Sequence, residues 1–362
     1  MKILYIADGG SIHTKRWLAY FVKQGHEVHL ITDKPSDMEG VALHVLPRAD
    51  NVYLKLFKGY TYTKSIIGDL APDIIHAHYL TLYGWLAAFS GFHPFILTVW
   101  GSDVLVAPHE SWIKRYLTRY VLRRADVVTS DGEHLRVPLK GFGLEMGKLQ
   151  MVYFGVDTQR FRPVTKGEKG RELGLSESQV VISVRNLEPI YDVATLVRAS
   201  PLILKEAPGT IFLVIGKGSQ DALLKDLAMS LGVEKHFRFT GALPPEVLPE
   251  YLAAADVYIS TSLSDAGLAA STAEAMACGL PVVVTDNGDN RKWIEDGVNG
   301  FIIPQQNPES LAAKVLIMLK DENLRIEFGI KNRKVIETKN DYYKEMEKVE
   351  RIYSNLASED KA

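Results

Sequence analysis

The chain has 362 residues, 46% hydrophobic and 24% charged; this is a globular composition too long for one ordinary core, so two domains of comparable size are expected. A formal net charge of −2 excludes binding dominated by neutralisation of a phosphate backbone, and nucleic acid is not expected as a partner. The single cysteine, Cys278, excludes an intrachain disulfide framework and a cysteine-rich metal cluster, and suits a reducing compartment.

In chain order, MKILYIADGG opens with an apolar run, Ile3 to Ala7, that Asp8 interrupts. The run is too short for a signal peptide and nothing later reaches about 18 apolar residues, so it reads as the buried first strand of a cytoplasmic protein. Peripheral contact with the inner face of the membrane stays open, because an interfacial helix needs no long apolar run. Short apolar runs then alternate with segments of helical period, the pattern of a parallel sheet wrapped by helices. Strands are expected at 2–7, 27–32, 42–46, 73–76, 95–98, 126–129 and 149–152, with helices at 14–24, 53–70, 81–90 and 112–124.

The segment 154–170, FGVDTQRFRPVTKGEKG, loses this period and gathers Gly, Pro and charge. It closes a first domain, 1–157, with a linker at 158–170. The pattern restarts with strands at 180–184, 211–215, 237–239, 257–260 and 281–285 and helices at 193–206, 220–231, 245–253 and 271–277, giving a second domain over 171–338. The charged, helical end of the chain, 339–362, either forms a solvated face or crosses back onto the first domain.

In open α/β sheets ligands bind beyond the carboxyl ends of the strands. Gly9-Gly10, after the first strand, offers one such turn, with Gly10 a candidate donor contact; G-x-G-x-x-G is absent, which removes support for a dinucleotide site. The richer segment is SDAGLAASTAEAMACGLPVVVTD, Ser264 to Asp286. Gly267, Leu268 and Ala269 lead into a helix whose first amides and positive dipole end suit a diphosphate. Glu274, one turn in, either accepts hydrogen bonds from two ribose hydroxyls or is a solvated residue of a packed helix start.

His76 and His78, in HAH, point to one side of a strand; no further ligands are spaced for a metal, so structural hydrogen bonding is the default and His78 an acceptor candidate. His13 and His109 are further candidates for the ligand side. Trp100 and Asp103, in WGSDV, follow a strand: Trp100 packs in the core or stacks on a sugar ring, and Asp103 forms a turn or binds hydroxyls.

The string AEAMACGLPVVVTD, with DGVNGFIIP downstream, resembles the donor-site signature of the retaining glycosyltransferases of family 4. HTKRWLAYFVKQGHEV, DIIHAHYLTLYG, VWGSDVL and FGVDTQRFRP are similar to the same family, so the resemblance covers nearly the whole chain. It implies the α/β GT-B fold: two facing Rossmann-like domains with a cleft between them. It also implies a sugar nucleotide donor held by the second domain and an acceptor bound mainly by the first. Arg185, in SVRNLEP, matches the family's phosphate-binding arginine; by its position alone it is equally a strand-end ion pair.

Three positions depart from the family pattern. Ile190 stands where a phosphate-binding lysine is usual, and Lys217, Arg291 and Lys292 are the cations in reach of compensating. Ala266 replaces the first of two paired glutamates; Asp265, one residue earlier, either takes over the sugar hydroxyls or forms a local turn. Trp100 replaces a histidine before Gly-x-Asp.

The resulting expectation is a retaining transferase moving a sugar from a nucleoside diphosphate sugar to a hydroxyl of a glycan, lipid-linked or small-molecule acceptor. Arg185, Asp103 and Asp265 are its catalytic candidates. Gly10, Arg185, Leu243, Gly267, Leu268, Ala269 and Glu274 are donor candidates, and His13, His78, Trp100 and His109 acceptor candidates. No cofactor is expected beyond the nucleotide sugar as co-substrate; the resemblance points to a UDP-sugar, with Ala242 and Leu243 offering backbone to the base. With no D-x-D pair after a strand, arginine and helix dipoles are expected to supply the charge and no metal is expected. Two alternatives remain: a catalytically silent sugar-nucleotide-binding protein, favoured by the three departures, and a sugar-nucleotide epimerase, which lacks an evident base.

Overall fold

The structure, a computed structural model, describes residues 1–48, 52–165, 167–265 and 267–359. Contacts divide the chain into two compact units, Met1–Phe154 with Tyr343–Ala362, and Gly155–Tyr342.

The first unit runs β1 (Lys2–Ile6), α1 (Ile12–Lys23), β2 (Glu27–Thr32), β3 (Val41–Val45), α2 (Val52–Leu70), β4 (Ile74–His78), α3 (Leu82–Ser90), β5 (Phe95–Val99), α4 (Ser102–Leu105), α5 (Trp112–Arg124), β6 (Val127–Ser130), α6 (Arg136–Gly141) and β7 (Leu149–Met151). Its strands form one parallel sheet in the order β3-β2-β1-β4-β5-β6-β7. β4 and β5 are buried along their whole length, as strands covered by helices on both faces must be.

The second unit runs α7 (Gly167–Glu172), β8 (Val180–Val184), α8 (Val193–Glu206), β9 (Ile211–Ile215), α9 (Asp221–Ser230), β10 (Phe237–Gly241), α10 (Leu248–Ala253), β11 (Val257–Ser260), α11 (Ala270–Ala277), β12 (Val282–Thr285), α12 (Asn290–Trp293), β13 (Gly300–Ile303), α13 (Pro308–Lys320) and α14 (Glu322–Lys339). Its parallel sheet has the order β10-β9-β8-β11-β12-β13. The strand order reverses at β1/β4 in one unit and at β8/β11 in the other, the switch points where such sheets open a crevice.

The expected strands are all present, displaced by at most two residues at their ends. β13 lay outside the expectation because it opens on Gly300 and its apolar run, 301–303, is short and closed by Pro304; glycine is required there, since a Cβ would lie 2.8 Å from the Val282 carbonyl oxygen. The expected helix at 245–253 divides into a 3-10 turn, Pro245–Val247, and α10, because Pro249 has no N–H to continue the first turn.

The charged end of the chain resolves into α13, α14 and α15 (Tyr342–Glu359). Asp321 caps α14 by accepting a 2.9 Å bond from the Leu324 amide. Most of α15 belongs to the first unit: Met346, Val349 and Tyr353 are fully buried, and the Tyr353 hydroxyl meets Tyr5 Oη at 2.7 Å and His76 Nδ1. Within the second unit, the Gly155 amide donates to Asn340 Oδ1 at 3.0 Å, the Val156 amide to the Asn340 carbonyl at 2.7 Å, and the Tyr342 amide to the Val156 carbonyl at 2.9 Å. Among the described residues no helix is long and apolar enough to cross a membrane.

Candidate functional site

In the second unit the switch point brings two loops together: the turn after β8, which carries Arg185, and the loop after β11, which carries Asp265. Thr261 Oγ1 donates to the Asp192 carbonyl at 2.8 Å, and the Leu263 amide to the Ile190 carbonyl at the same distance. Asn287 Nδ2 holds the Ser262 carbonyl from the far side at 2.7 Å. Gly288, with φ of 51°, lies under the Asp265 and Gly267 carbonyls, where a Cβ would approach within 2.7 Å. Gly216 is more constrained still: φ is 148° and a Cβ would sit 1.9 Å from the Arg185 carbonyl oxygen.

These constraints fix the Arg185 side chain. Its guanidinium donates from Nη2 to Asp265 Oδ1 and stacks 4.2 Å over the Tyr191 ring. Both partners are largely sequestered, with side-chain exposures of 9% and 12%. Burial pushes the Asp265 carboxyl above its ordinary range, opposed by the Arg185 charge. Nε of Arg185 is buried with no hydrogen-bond partner among the described residues.

Arg185, Asn186, Tyr191, Gly216, Ala242, Leu243, Ser271 and Glu274 line one cavity of about 330 Å³. Four of the residues singled out in the sequence, Arg185, Ala242, Leu243 and Glu274, therefore meet there, with the first turn of α11 as one wall. Tyr258 braces that turn: its hydroxyl lies 2.9 Å from Ser271 Oγ and accepts from Thr272 Oγ1. Gly267, Leu268 and Ala269 form the approach to α11 rather than the cavity wall. Ala266 lies outside the described residues. Ile190 is 45% exposed in the 3-10 turn Pro189–Tyr191. Lys217 is exposed and takes part through its backbone, its carbonyl accepting from the Leu187 amide. Arg291 and Lys292 are paired with Asp286 and Asp289, away from this cavity.

Within the first unit, the loops after β1, β4 and β5 gather an aromatic cluster. His13 stacks on Trp100 with ring centroids 4.4 Å apart and meets the Phe154 edge at the same distance. Trp17 packs against His78 at 5.0 Å, and His76 against His78 at 4.9 Å. Burial lowers His78 to about 3 and His13 to about 4, the latter helped by Arg16, so both rings are neutral at pH 7. Nδ1 of His13, both ring nitrogens of His78 and Nε1 of Trp17 and Trp100 have no hydrogen-bond partner among the described residues.

Several expectations change here. Asp103, expected to be catalytic, is 3% exposed and committed to backbone: Oδ1 accepts from the Trp100 and Gly101 amides at 3.0 Å and Oδ2 from Leu80 at 2.9 Å. It shapes the loop that presents Trp100. His78, expected to meet the acceptor, is fully buried under Trp17 and Trp100. His109 is exposed and tilts against Phe142, apart from the His13–Trp100 stack. Gly10 is exposed and its amide donates to Asp8 Oδ1 at 2.8 Å; Gly9 is the close-approach glycine, a Cβ there lying 2.6 Å from the Lys34 carbonyl oxygen.

Sequence reasoning missed Tyr191 and Tyr353. An aromatic in the turn after the arginine strand was the available signal for the first; the second lies hundreds of residues from its partners and had none.

A family model described as glycosyl transferases group 1 matches residues 166–335, and one described as glycosyl transferase 4-like matches residues 2–132. The chain is 29% identical over 266 residues to a GDP-mannose-dependent alpha-(1-6)-phosphatidylinositol monomannoside mannosyltransferase of Mycolicibacterium smegmatis, covering 70% of this chain and 68% of that one. It is 24% identical to the N-acetyl-alpha-D-glucosaminyl L-malate synthase of Bacillus anthracis, over 94% of this chain and 92% of that one. The crystal structure of Anabaena HepE in complex with UDP superposes with a TM-score of 0.82 at 19% identity, over 98% and 100% of the two chains. Two Rossmann-like units with these sheet orders define the GT-B architecture. The chain belongs to the group 1, family-4-like glycosyltransferases of that fold.

Proposed function

We propose that the chain transfers a glycosyl group, with retention, from a nucleoside diphosphate sugar to an acceptor hydroxyl. The observation that carries this reading is the single cavity that gathers Arg185 from one side of the switch point, and Glu274 with the first turn of α11 from the other. Arg185 and the first-turn amides take the diphosphate charge; Glu274 takes the ribose hydroxyls; the backbone at Ala242 and Leu243 flanks the base. The acceptor oxygen attacks the anomeric carbon on the face from which the diphosphate leaves. The carbon–oxygen bond to phosphate breaks, and the acceptor proton passes to the departing phosphate oxygen. Arginine and helix amides provide the charge stabilisation in this scheme.

The M. smegmatis relative is named for a GDP-sugar and a lipid-linked acceptor, whereas the Anabaena structure holds UDP. Both bases therefore belong in a donor panel, and glycan, lipid-linked and small-molecule hydroxyls belong in the acceptor panel. The test is release of nucleoside diphosphate with and without acceptor. Acceptor-dependent release with a product of unchanged anomeric configuration is expected; an inverted product, or no interaction with any nucleotide sugar, refutes the proposal. One observation favours a second reading, donor binding without turnover: Asp265 already pairs with the Arg185 charge. Saturable donor binding with no release under any acceptor would select it.

A further inference from the structure

The outer surface of the helical layer α2, α3 and α5 has an unusual composition. β3→β4, β4→β5 and β5→β6 all step in one direction across the sheet, so right-handed crossovers place these three helices on one face of it. They pack in sequence, and Phe89 of α3 meets Tyr120 of α5 at 5.5 Å.

α5 reads WIKRYLTRYVLRR, with five basic residues and no acidic one, in a chain whose net charge is −2. Its helical period sorts it into an inner face, with Thr118, Val121 and Leu122 buried, and an outer stripe of Trp112, Arg115, Tyr116, Arg119 and Arg123. Trp112 is 79% exposed and Tyr116 64%. Arg115, Arg119 and Arg123 make no ion pair with an acidic residue among the described residues. On α2, Phe57 is 66% exposed at the mouth of a hollow of about 420 Å³ that it lines with Leu56, Tyr60 and Phe89. Lys58 and Lys64 are exposed on the same helix.

We propose that this face docks onto an anionic lipid surface. Large aromatic rings suit the headgroup–acyl boundary, and arginine stems lie along apolar surface while their guanidinium groups reach phosphate. An acidic protein partner would satisfy the arginines but gives no reason for an apolar hollow beside them. That combination favours lipid.

The test is co-sedimentation of the full chain with phosphatidylcholine vesicles, with and without phosphatidylglycerol, across a salt series. Binding only to the anionic vesicles is expected. At about a tenfold gain in partitioning for every one to two basic residues, the triple variant Arg115→Gln, Arg119→Gln, Arg123→Gln should bind on the order of 100-fold more weakly. Trp112→Ser with Tyr116→Ser should lose the fraction that stays bound at high salt. Both variants should keep the wild-type melting temperature and, since their positions lie outside the donor cavity, wild-type donor turnover. Unchanged partitioning of the triple variant at an unchanged melting temperature would overturn the proposal. So would failure of the wild type to bind anionic vesicles at low ionic strength, or binding to a soluble acidic polypeptide that anionic vesicles do not compete away.

Discussion

Arg185 and Asp265, eighty positions apart in the chain, form a largely buried ion pair at the switch point of the second sheet, with Tyr191 stacked beneath the guanidinium. The two partners are not equivalent. A buried carboxyl whose pKa is already raised neutralises by taking a proton, whereas a guanidinium cannot release one. Removing Asp265 therefore strands a charge. Asp265→Ala should cost about 3 kcal/mol in denaturant unfolding at pH 7, and Arg185→Ala clearly less. Equal costs would refute this account.

In catalysis the asymmetry should reverse. Arg185→Ala should reduce nucleoside diphosphate release by a factor of about 100 to 1000, the range for loss of one donor to developing charge. Asp265→Asn keeps a hydrogen-bond acceptor for the guanidinium and should retain far more turnover. Steady-state kinetics with one saturating acceptor distinguish the two.

Glu274→Gln halves the carboxylate's capacity to hold two hydroxyls. The donor KM should rise on the order of 10-fold, with kcat changed much less, because ribose contacts persist unaltered through the transition state. A kcat loss without a KM change would place Glu274 at the reacting atoms instead.

The first unit should be acid-sensitive. His13, His76 and His78 are all held below their ordinary range by burial, so between about 4 and 6.5 the unfolded chain binds protons that the folded unit does not. Their contribution to stability is thus complete above pH 6.5 and falls as the pH drops from 6.5 towards 4, by up to about 1.4 kcal/mol per pH unit for each histidine. Asp103, raised by burial, acts in the opposite sense. Melting temperature against pH should show this slope, and His78→Leu should flatten it.

Tyr353→Phe removes the hydroxyl that joins Tyr5 and His76 in a fully buried site. The loss should be about 1 to 3 kcal/mol, since the buried His76 Nδ1 loses its partner away from water. Chemical denaturation of the variant checks it.

Much of this was legible in the chain. β2, β8, β9 and β11 and helices α5 and α8 fall on their expected limits, because an uninterrupted apolar or amphipathic period decides a local structure by itself. The small residues before α11 and the place of Glu274 were equally readable. β13 was not, since its apolar run between Gly300 and Pro304 is too short to show a period, nor was the division of 245–253 at Pro249.

The site divides along the same line. Sequence by itself determined the strand–helix alternation and the absence of a dinucleotide fingerprint, because these follow from period and residue chemistry. It singled out Arg185 through the family resemblance and Glu274 by its place on a helix start, with a strand-end ion pair and a solvated side chain as the open alternatives. It left Asp265 open between a sugar contact and a turn, Asp103 between a turn and hydroxyl binding, and His78 between a structural role and the acceptor. Only the tertiary structure decided that Asp265 neutralises Arg185, that Asp103 holds a loop through three amides, and that His78 lies sealed beneath two tryptophans. Those outcomes depend on burial and on which loops the strand order brings together. Neither quantity is carried by any one segment of the chain.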